Sequence, residues 1–283
     1  MEQIRQAVER AKEAQPVGAT APLPQLGHPF TPGPGAIRDA TPAATMPSVG
    51  EFVLLNPKHL EANRIIAHDF ADHRARSYDM LRTQVLQTMS MSEWHMLAVT
   101  SPSPACGKTV TAINLALSIA RQPDKPVLLI DFDLQRPQIG NYLGLKPKQG
   151  VLSLLEGRAK FRDVVVNARI ADSQLAILPC ETSTLRSSEL IASRAMTGLL
   201  QEIKQAFKNW TVIVDLPPVL AGDEVISILP QLDCVLFVAS AGTSTVPQIK
   251  ECVRHLESTP VIRMVLNKSI ESHQAYYSRY NER

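Results

Sequence analysis

The stretch Ser-Pro-Ser-Pro-Ala-Cys-Gly-Lys-Thr, residues 101–109, sets the fold class because of the segments on either side of it. The apolar run Met96–Thr100 precedes it, and residues 110–120, whose apolar side chains recur at helical spacing, follow it. A strand, a loop that ends in Gly-Lys-Thr and a helix are the context that a phosphate-binding loop requires. The backbone N–H groups of such a loop and of the helix N-terminus point at phosphate oxygens.

Two side chains at the end of this loop have distinct tasks toward a phosphate. Lys108 is predicted to reach the terminal phosphates as a point charge, and the Thr109 hydroxyl is predicted to complete the shell of a Mg²⁺ ion. One departure from the usual pattern is Pro102, which stands five residues before Gly107, where a glycine is typical. Because of this departure, the interpretation needs support from other segments.

Two later apolar runs contain acidic residues. Residues 127–133, Val-Leu-Leu-Ile-Asp-Phe-Asp, end in Asp131 and Asp133, and residues 212–218, Val-Ile-Val-Asp-Leu-Pro-Pro, contain Asp215. Parallel strands covered on both faces read as continuous apolar runs, and ligands bind at the carboxyl ends of such strands. We therefore expect the three carboxylates to lie beside the loop and to hold Mg²⁺ directly or through its waters. The alternative is that each Asp only caps a following turn, but three acids in this order favour the metal site.

Strand and helix patterns alternate along the rest of the chain. This alternation predicts an α/β fold with a doubly wound, mainly parallel sheet of the phosphate-loop type. The predicted strands cover residues 175–179, 211–215, 234–239 and 261–267, and residues 51–55 are either a short strand or a docking segment. The predicted helices cover residues 151–156, 188–193, 194–207, 223–229 and 245–257, and residues 60–89 read as helical with a break near residues 68–69.

Composition divides the chain into four parts. Residues 1–15 carry a few apolar residues at helical spacing and predict a short helix. Residues 16–50 contain eight prolines and five glycines, so they predict a disordered tether that cannot build a core. Residues 51–270 hold the alternating elements and are the predicted phosphate-loop domain. Residues 271–283 are a polar tail with three tyrosines, for which we expect a flexible conformation.

Together these segments resemble the bacterial tyrosine kinases, or BY-kinases, that accompany capsule and exopolysaccharide export. These kinases belong to the deviant phosphate-loop ATPases, which also include the ParA and MinD partitioning ATPases. The resemblance rests on the loop, on Asp-Phe-Asp at residues 131–133, on Val-Asp-Leu-Pro-Pro at residues 214–218 and on Val-Leu-Asn-Lys at residues 265–268. It runs from about residue 60 to the C-terminus, and the terminal tyrosine cluster is what the kinases add to the partitioning ATPases.

The resemblance implies a protein-tyrosine autokinase that transfers the γ-phosphate of Mg-ATP to its own C-terminal tyrosines, between neighbouring subunits. It implies that Asp131 is the base near the attacking hydroxyl, that Asp133 supports metal or substrate and that Asp215 anchors a metal-bound water. Asn267 lies where an asparagine reads the adenine. The implied ATP-binding residues are Pro104, Ala105, Cys106, Gly107, Lys108, Thr109, Val110 and Asn267. The implied catalytic residues are Lys108, Asp131 and Asp133, and the implied Mg²⁺ residues are Thr109, Asp131 and Asp215. The implied phosphate acceptors are Tyr276, Tyr277 and Tyr280.

A helix before the loop carries a candidate subunit contact. The family has Glu-x-x-Arg-x-x-Arg on a helix that joins neighbouring subunits in a ring, and this chain has Arg76, Asp79 and Arg82 in those places. The first two charges are reversed, but a pair that keeps opposite signs can still form a self-complementary contact. The alternative is a solvated helix face with an i,i+3 ion pair, and both interpretations stay open.

Three positions depart from the family pattern. Gln135 stands where the family usually has the arginine of Asp-x-Asp-x-Arg, with Arg136 next, and Ala105-Cys106 stands where Gly-Glu is common. Ala105 narrows the backbone choices if its φ must be positive. Cys106 is either an oxidisable thiol with a lowered pKa or a small residue tolerated in the loop. These changes are compatible with a slow kinase or with a degenerate one.

Bulk properties bear on location and partners. The net charge of +2 predicts no large electropositive surface, so we expect no nucleic-acid partner. The sequence has no stretch of about 18 uncharged apolar residues, no signal-peptide core and no Cys-x-x-Cys spacing, so we expect a cytoplasmic protein with reduced thiols. The resemblance then implies a homo-oligomer, with a ring as one form, and a separate membrane chain-length regulator, or polysaccharide copolymerase, whose cytoplasmic tail activates the chain at the inner face of the membrane.

Two other functions stay open. One is an ATPase switch of the partitioning type, against which stand the tyrosine tail and the absence, within residues 101–107, of the extra lysine that those ATPases use. The other is a nucleotide-binding scaffold that transfers nothing, which Ala105, Cys106 and Gln135 would support.

Overall fold

The computed structural model describes residues 52–269. The predicted helix over residues 1–15, the predicted tether over residues 16–50 and the tyrosine-bearing tail over residues 271–283 lie outside the described residues. Within the described part of the chain, no helix has both the length and the apolar character needed to cross a membrane.

An eight-stranded sheet forms the centre of the fold. Its strands are β1 (Val53–Leu54), β2 (Met96–Thr100), β3 (Val127–Asp131), β4 (Val166–Ile170), β5 (Ser173–Leu178), β6 (Thr211–Asp215), β7 (Cys234–Ser240) and β8 (Val261–Asn267). The strand order is β1-β4-β5-β3-β6-β2-β7-β8, and every neighbouring pair is parallel except β4 and β5. The predicted doubly wound, mainly parallel α/β fold is confirmed.

Helices cover both faces of this sheet, because parallel neighbours are joined by crossovers rather than by tight turns. They are α1 (Pro57–Ala62), α2 (Arg76–Met91), α3 (Lys108–Ala120), α4 (Ile139–Leu143), α5 (Val151–Leu155), α6 (Phe161–Val164), α7 (Ser187–Ile191), α8 (Arg194–Ala206), α9 (Glu224–Ile228) and α10 (Val246–His255), with 3₁₀ turns at His73–Ala75, Val219–Ala221 and Leu229–Gln231.

Burial on both faces explains why the strand sequences are continuously apolar. Successive side chains of a strand point to opposite faces of the sheet. In β2, Leu97 and Val99 pack in the core under α1 to α4, whereas Met96 and Ala98 pack in the core under α5 to α10. A strand of this kind has no solvent-facing side that could carry polar residues, which is the pattern recognised in the sequence.

Three parts of the chain differ from the prediction. The predicted helices do not include α4 and α6. The predicted strands do not include β4, which forms an antiparallel hairpin with β5. Asn167 and Arg169 interrupt the apolar run in its sequence. The helical segment predicted over residues 60–89 is two helices, since α1 ends at Ala62 and α2 begins at Arg76. The break predicted near residues 68–69 falls inside the segment between them. The other predicted strands and helices agree with the structure to within about two residues at each end.

Candidate active site

A cavity of about 840 Å³ lies at the carboxyl ends of the central strands. This is the edge at which ligands of open α/β sheets bind, and the volume is in the range of a nucleotide-sized ligand. Residues of the β2–α3 loop and of the ends of β3, β6 and β8 line it together, among them Pro104, Ala105, Gly107, Lys108, Thr109, Val110, Asp133, Pro217 and Asn267. The structure therefore brings together most of the predicted site residues.

The loop between β2 and α3 contains two residues with left-handed backbone. Gly107, the N-cap of α3, has a φ of 92°, and a Cβ on it would lie 2.1 Å from Nδ2 of Asn267. Ala105 has a φ of 62°. A left-handed conformation costs a residue with a side chain about 1–2 kcal/mol. The positive φ considered for Ala105 is present, and this residue adopts it with strain that a glycine would avoid.

The Lys108 ammonium lies between two carboxylates. Its Nζ is 2.8 Å from Oδ2 of Asp133 and 3.4 Å from Oδ2 of Asp215. Burial lowers the pKa of Lys108, but the negative charges of Asp215 and Asp133 outweigh burial and hold the pKa above its ordinary value. The ammonium is therefore charged, and the oxygens of a phosphate are partners of the same kind as the carboxylates.

Thr109 and Asp215 form a pair of oxygen donors beside the lysine. The Thr109 Oγ1 donates to Oδ2 of Asp215 at 2.6 Å. Hydroxyl and carboxylate oxygens suit Mg²⁺, which typically keeps one or two protein ligands and completes its octahedron with phosphate and water. Among residues 52–269, no group of three or more His, Cys, Asp or Glu side chains that could hold a metal ion is present. One hydroxyl and one carboxylate fit a Mg²⁺ ion whose other ligands are phosphate and water.

Asp131 and Asp133 take different places, although Asp131 is the last residue of β3 and Asp133 lies only two residues beyond it. Asp133 lines the cavity, whereas Asp131 is fully buried and its Oδ2 accepts hydrogen bonds from the N–H groups of Gln138 and Ile139, both at 3.0 Å. Burial, followed by the charge of Asp215, raises the pKa of Asp131 to about 8. Asp131 therefore fixes the start of α4, and Asp133 presents its carboxylate to a ligand.

The end of β8 contacts the loop directly. Asn267 Nδ2 donates to the carbonyl of Cys106 at 2.9 Å, and Lys268 Nζ donates to the carbonyl of Ala105 at 2.6 Å. The family resemblance implies an adenine contact for Asn267. This residue lines the cavity, and an N–H group of its amide is directed at the loop. Lys268 is absent from the predicted site. Its position immediately after Asn267 in the sequence was a signal that it could belong to the site.

The Cys106 thiol is enclosed by the loop. It is 1% exposed, and its Sγ lies 3.5 Å from Oγ of Ser103 and 3.6 Å from Oγ of Ser244. Burial raises the pKa of the thiol, but the hydrogen bonds with Ser103 and Ser244 outweigh it, so that the pKa lies below its usual value. The lowered pKa agrees with the interpretation of Cys106 as a thiol with a lowered pKa. Its burial agrees with the other interpretation, that of a small residue tolerated in the loop.

The glutamine that replaces the family arginine has a buried partner. Gln135 Nε2 donates to Oε1 of Glu224 at 2.5 Å, and Glu224 is 2% exposed. The Gln135 amide therefore supplies a hydrogen-bond donor to this buried side chain. Arg136, the next residue, lines the cavity, so a cation is retained at this edge of the site.

Asn114, in the middle of α3, holds one wall of the cavity. Its Oδ1 accepts from the N–H groups of Ile66 and Ala67 at 2.8 and 2.9 Å, and its Nδ2 donates to the carbonyls of Arg64 and Val110 at 3.0 and 2.8 Å. Arg64 and Ile66 line the cavity. Sequence reasoning missed this residue, although a polar side chain within an otherwise apolar helix face is a signal for a buried hydrogen-bond hub.

The candidate subunit-contact residues make contacts within the chain. Asp79 Oδ1 accepts from Oγ of Ser118 at 2.6 Å, from Arg82 at 3.1 Å and from Arg121 at 3.2 Å, while Arg76 is exposed on the first turn of α2. The i,i+3 pair of Asp79 and Arg82 that the alternative interpretation predicts is therefore present. A contact with another subunit through these two residues would have to share or replace these bonds.

The predicted phosphate acceptors Tyr276, Tyr277 and Tyr280 lie outside the described residues. The described chain ends at Ser269, two residues beyond β8, and the carboxyl end of β8 is at the cavity. The tail that carries the tyrosines is thus connected to the chain close to the site.

Comparison with known proteins gives matches over this same region. A family model described as an AAA domain matches residues 95–267, which run from the residue before β2 to the last residue of β8. Among solved structures, the kinase domain of Escherichia coli tyrosine kinase ETK superposes with a TM-score of 0.63 at 25% sequence identity, covering 71% of this chain and 80% of that chain.

Two curated relatives are much longer proteins. The chain is 28% identical over 190 residues to Tyrosine-protein kinase ptk of Acinetobacter johnsonii, a match that covers 67% of this chain and 25% of that protein. It is 29% identical over 201 residues to Succinoglycan biosynthesis transport protein ExoP of Rhizobium meliloti (strain 1021), with 69% of this chain and 25% of that protein covered. The chain therefore spans about a quarter of the length of these relatives.

Proposed function

We propose that this chain, which belongs to the AAA-domain family and is a phosphate-loop member of the bacterial tyrosine kinases, transfers the γ-phosphate of Mg-ATP to protein tyrosines. The observation that carries the proposal is the arrangement around Lys108, which lies at the end of the loop between Asp133 and Asp215 in a nucleotide-sized cavity. The names of the relatives support tyrosine as the acceptor.

The nucleotide phosphates bind to the loop and the start of α3. Backbone N–H groups of the loop donate to the β- and γ-phosphates, and Lys108 moves its hydrogen bonds from the carboxylates to the γ-phosphate oxygens. Thr109 and Asp215 would hold Mg²⁺, which would neutralise charge on the β- and γ-phosphates. When Lys108 leaves the two carboxylates, the Asp133 carboxylate is free to face the acceptor hydroxyl, and the Asp215 carboxylate would be free to hold the metal.

Asp133 accepts the proton of the tyrosine hydroxyl. A phenol has a pKa of about 10, so a carboxylate at the attacking oxygen assists its deprotonation. The oxygen forms a bond to the γ-phosphorus while the bond from that phosphorus to the bridging oxygen breaks, and ADP leaves. Asp131, the base suggested by the resemblance, has both oxygens directed at backbone N–H groups and acts by holding the Asp133 segment in place.

The acceptors are Tyr276, Tyr277 and Tyr280, modified in the site of a neighbouring copy. The eight Cα–Cα steps from Lys268 to Tyr276 span at most about 30 Å, so chain length does not prevent a tyrosine from reaching its own site. Mixing a Lys108→Met chain with a chain whose three tyrosines are replaced by phenylalanine decides between the two. Phosphate on the Lys108→Met chain requires transfer between copies, and its absence means transfer within one copy.

The pathway of the kinase is exopolysaccharide or capsule polymerisation and export. The relative named for succinoglycan biosynthesis transport supports this assignment. The partner is a membrane chain-length regulator whose cytoplasmic tail activates the chain and recruits it to the inner face of the cell membrane. The chain functions as a homo-oligomer, and sedimentation velocity with and without ATP tests its assembly.

Mass spectrometry of the C-terminal peptide after incubation of the purified full chain with Mg-ATP tests the activity. Phosphotyrosine should form in the wild type and in Lys125→Met, and should be lost in Lys108→Met and strongly reduced in Asp133→Asn. Lys125 is the matched control because it is an exposed lysine before β3, at the opposite end of the strands from the site.

Each other outcome contradicts the kinase in a different way. ATP hydrolysis without phosphotyrosine indicates the switch of the partitioning type. Nucleotide binding without transfer or hydrolysis, even when the cytoplasmic tail of the regulator from the same genome is added, indicates a scaffold.

A further inference from the structure

Two strained residues meet at the junction between the phosphate loop and the end of β8. Ala105 has a φ of 62° and Lys268 a φ of 59°, both in the left-handed region that residues with side chains rarely adopt. The Lys268 Nζ donates to the Ala105 carbonyl at 2.6 Å, so the two strained residues are directly bonded to each other. Strained backbone that the surrounding structure holds in place clusters at functional sites.

A connected set of hydrogen bonds holds this junction. The backbone N–H of Lys268 donates to Oδ1 of Asn267 at 2.9 Å, and Nδ2 of Asn267 donates to the carbonyl of Cys106 at 2.9 Å. The Asn267 amide thus uses its oxygen to hold Lys268 in the left-handed conformation and its nitrogen to hold the loop. Consecutive loop carbonyls, those of Ala105 and Cys106, are bound by consecutive residues of the β8 end.

These two bonds also fix the direction of two loop N–H groups. In a trans peptide the C=O and N–H groups of one unit point in opposite directions. With the carbonyls of Ala105 and Cys106 directed at the β8 end, the N–H groups of Cys106 and Gly107 point away from it. A phosphate-binding loop functions by presenting such N–H groups to its ligand.

We propose that Lys268 is a positioning residue for phosphate binding: by bonding the Ala105 carbonyl it keeps the strained loop in the conformation that presents its N–H groups to the nucleotide phosphates. This role deepens the proposed kinase function, because it concerns the same nucleotide site. The residue acts on the loop and not on the nucleotide, so its removal should weaken phosphate-dependent binding and loosen the loop together.

The test measures nucleotide affinity and thiol accessibility in the full chain. Isothermal titration gives the Kd values of Mg-ADP, Mg-ATP and adenosine for the wild type, Lys268→Met, Lys268→Arg and the matched control Lys125→Met. The rates at which iodoacetamide labels the four cysteines, measured by mass spectrometry, report how often the loop opens. All four are buried, and Cys106 is the one in the loop.

The proposal predicts a joint change in Lys268→Met. The Kd of both Mg-nucleotides should rise about three- to tenfold, the range expected for one hydrogen bond from an exposed cation. Adenosine should bind as in the wild type because it has no phosphate. Labelling of Cys106 should become faster while Cys180, Cys234 and Cys252 keep their rates, Lys268→Arg should restore both readouts, and Lys125→Met should change neither.

Three results would overturn the role. Unchanged nucleotide affinity with unchanged Cys106 labelling means that the bond to Ala105 does not hold the loop. Weaker nucleotide binding with unchanged labelling means that Lys268 contacts the nucleotide itself. Equally faster labelling of all four cysteines means that Lys268 stabilises the whole fold rather than the loop. If the wild type binds no nucleotide, the kinase proposal fails, whereas the labelling comparison still tests the loop contact.

Discussion

Replacement of Asn114 by alanine is expected to destabilise the fold by about 2–4 kcal/mol. The side chain is fully buried and makes four hydrogen bonds, three to the segment that precedes α2 and one to the Val110 carbonyl within α3. Alanine leaves the N–H groups of Ile66 and Ala67 without their acceptor. These two groups belong to residues that are 8% and 0% exposed, so water reaches them poorly.

The magnitude follows from these unpaired groups. Each buried N–H group that loses its partner costs about 1–3 kcal/mol, so the two together cost about 2–6 kcal/mol. The higher helix propensity of alanine offsets about 0.5 kcal/mol, and water that enters the space of the lost amide offsets part of the rest. For a domain of this size a loss of about 2–4 kcal/mol lowers the Tm by roughly 5–15 °C.

Urea unfolding followed by circular dichroism, together with a thermal scan, measures the loss. The matched control is Asn141→Ala, because Asn141 is exposed on α4 and its amide makes a single long hydrogen bond of 3.5 Å to Gln138. The control should stay within about 0.5 kcal/mol of the wild type. A loss below about 1 kcal/mol in Asn114→Ala would show that the segment holding Arg64 and Ile66 does not depend on this amide.

Three further substitutions test the loop and its acids. Gly107→Ala should abolish Mg-ATP binding, since its Cβ would lie 2.1 Å from Nδ2 of Asn267 at a φ of 92°, and retained affinity in a calorimetric titration would contradict this. Ala105→Gly should raise the free energy of unfolding by up to about 1 kcal/mol because the strain of the left-handed backbone is removed, although the greater entropy of glycine in the unfolded chain opposes this gain. A clearly lower free energy of unfolding in urea would refute the prediction. Burial and the charge of Asp215 raise the pKa of Asp131 from 3.8 to about 8, so the folded state binds a proton that the unfolded state has released. The free energy of unfolding of the wild type should therefore fall as the pH rises from about 4 to about 8. In Asp131→Asn the urea midpoint should change less steeply with pH than in the wild type. Equal slopes of midpoint against pH in the two proteins would show that the raised pKa belongs to another group.

The sheet and the phosphate loop could be predicted from the sequence because their signals are local. Apolar runs such as residues 127–131 identify strands buried on both faces, and Gly-Lys-Thr between a strand and a helix identifies the loop. The carboxyl ends of neighbouring parallel strands share one edge of the sheet. The convergence of Asp133 and Asp215 on Lys108 followed from that geometry.

Other features depend on contacts between residues that are far apart in the chain. The bonds of Asn267 and Lys268 to the loop join residues separated by more than 160 positions, and no local pattern specifies their geometry. Asp79, on α2, is bonded to Ser118 in α3 and to Arg121, the residue that follows α3. The sequence shows only that such side chains are polar and lie within predicted elements.

The difference between Asp131 and Asp133 shows where local information ends. The sequence identifies both as acids at the end of a buried strand, and either could face a ligand. Packing separates them, because the chain turns back so that the start of α4 donates two N–H groups to Asp131, and Asp133 is left at the cavity. Periodicity and turn chemistry act over a few residues and can be read along the chain. The choice of which carboxylate is satisfied by backbone and which stays available depends on how distant segments fill the same space.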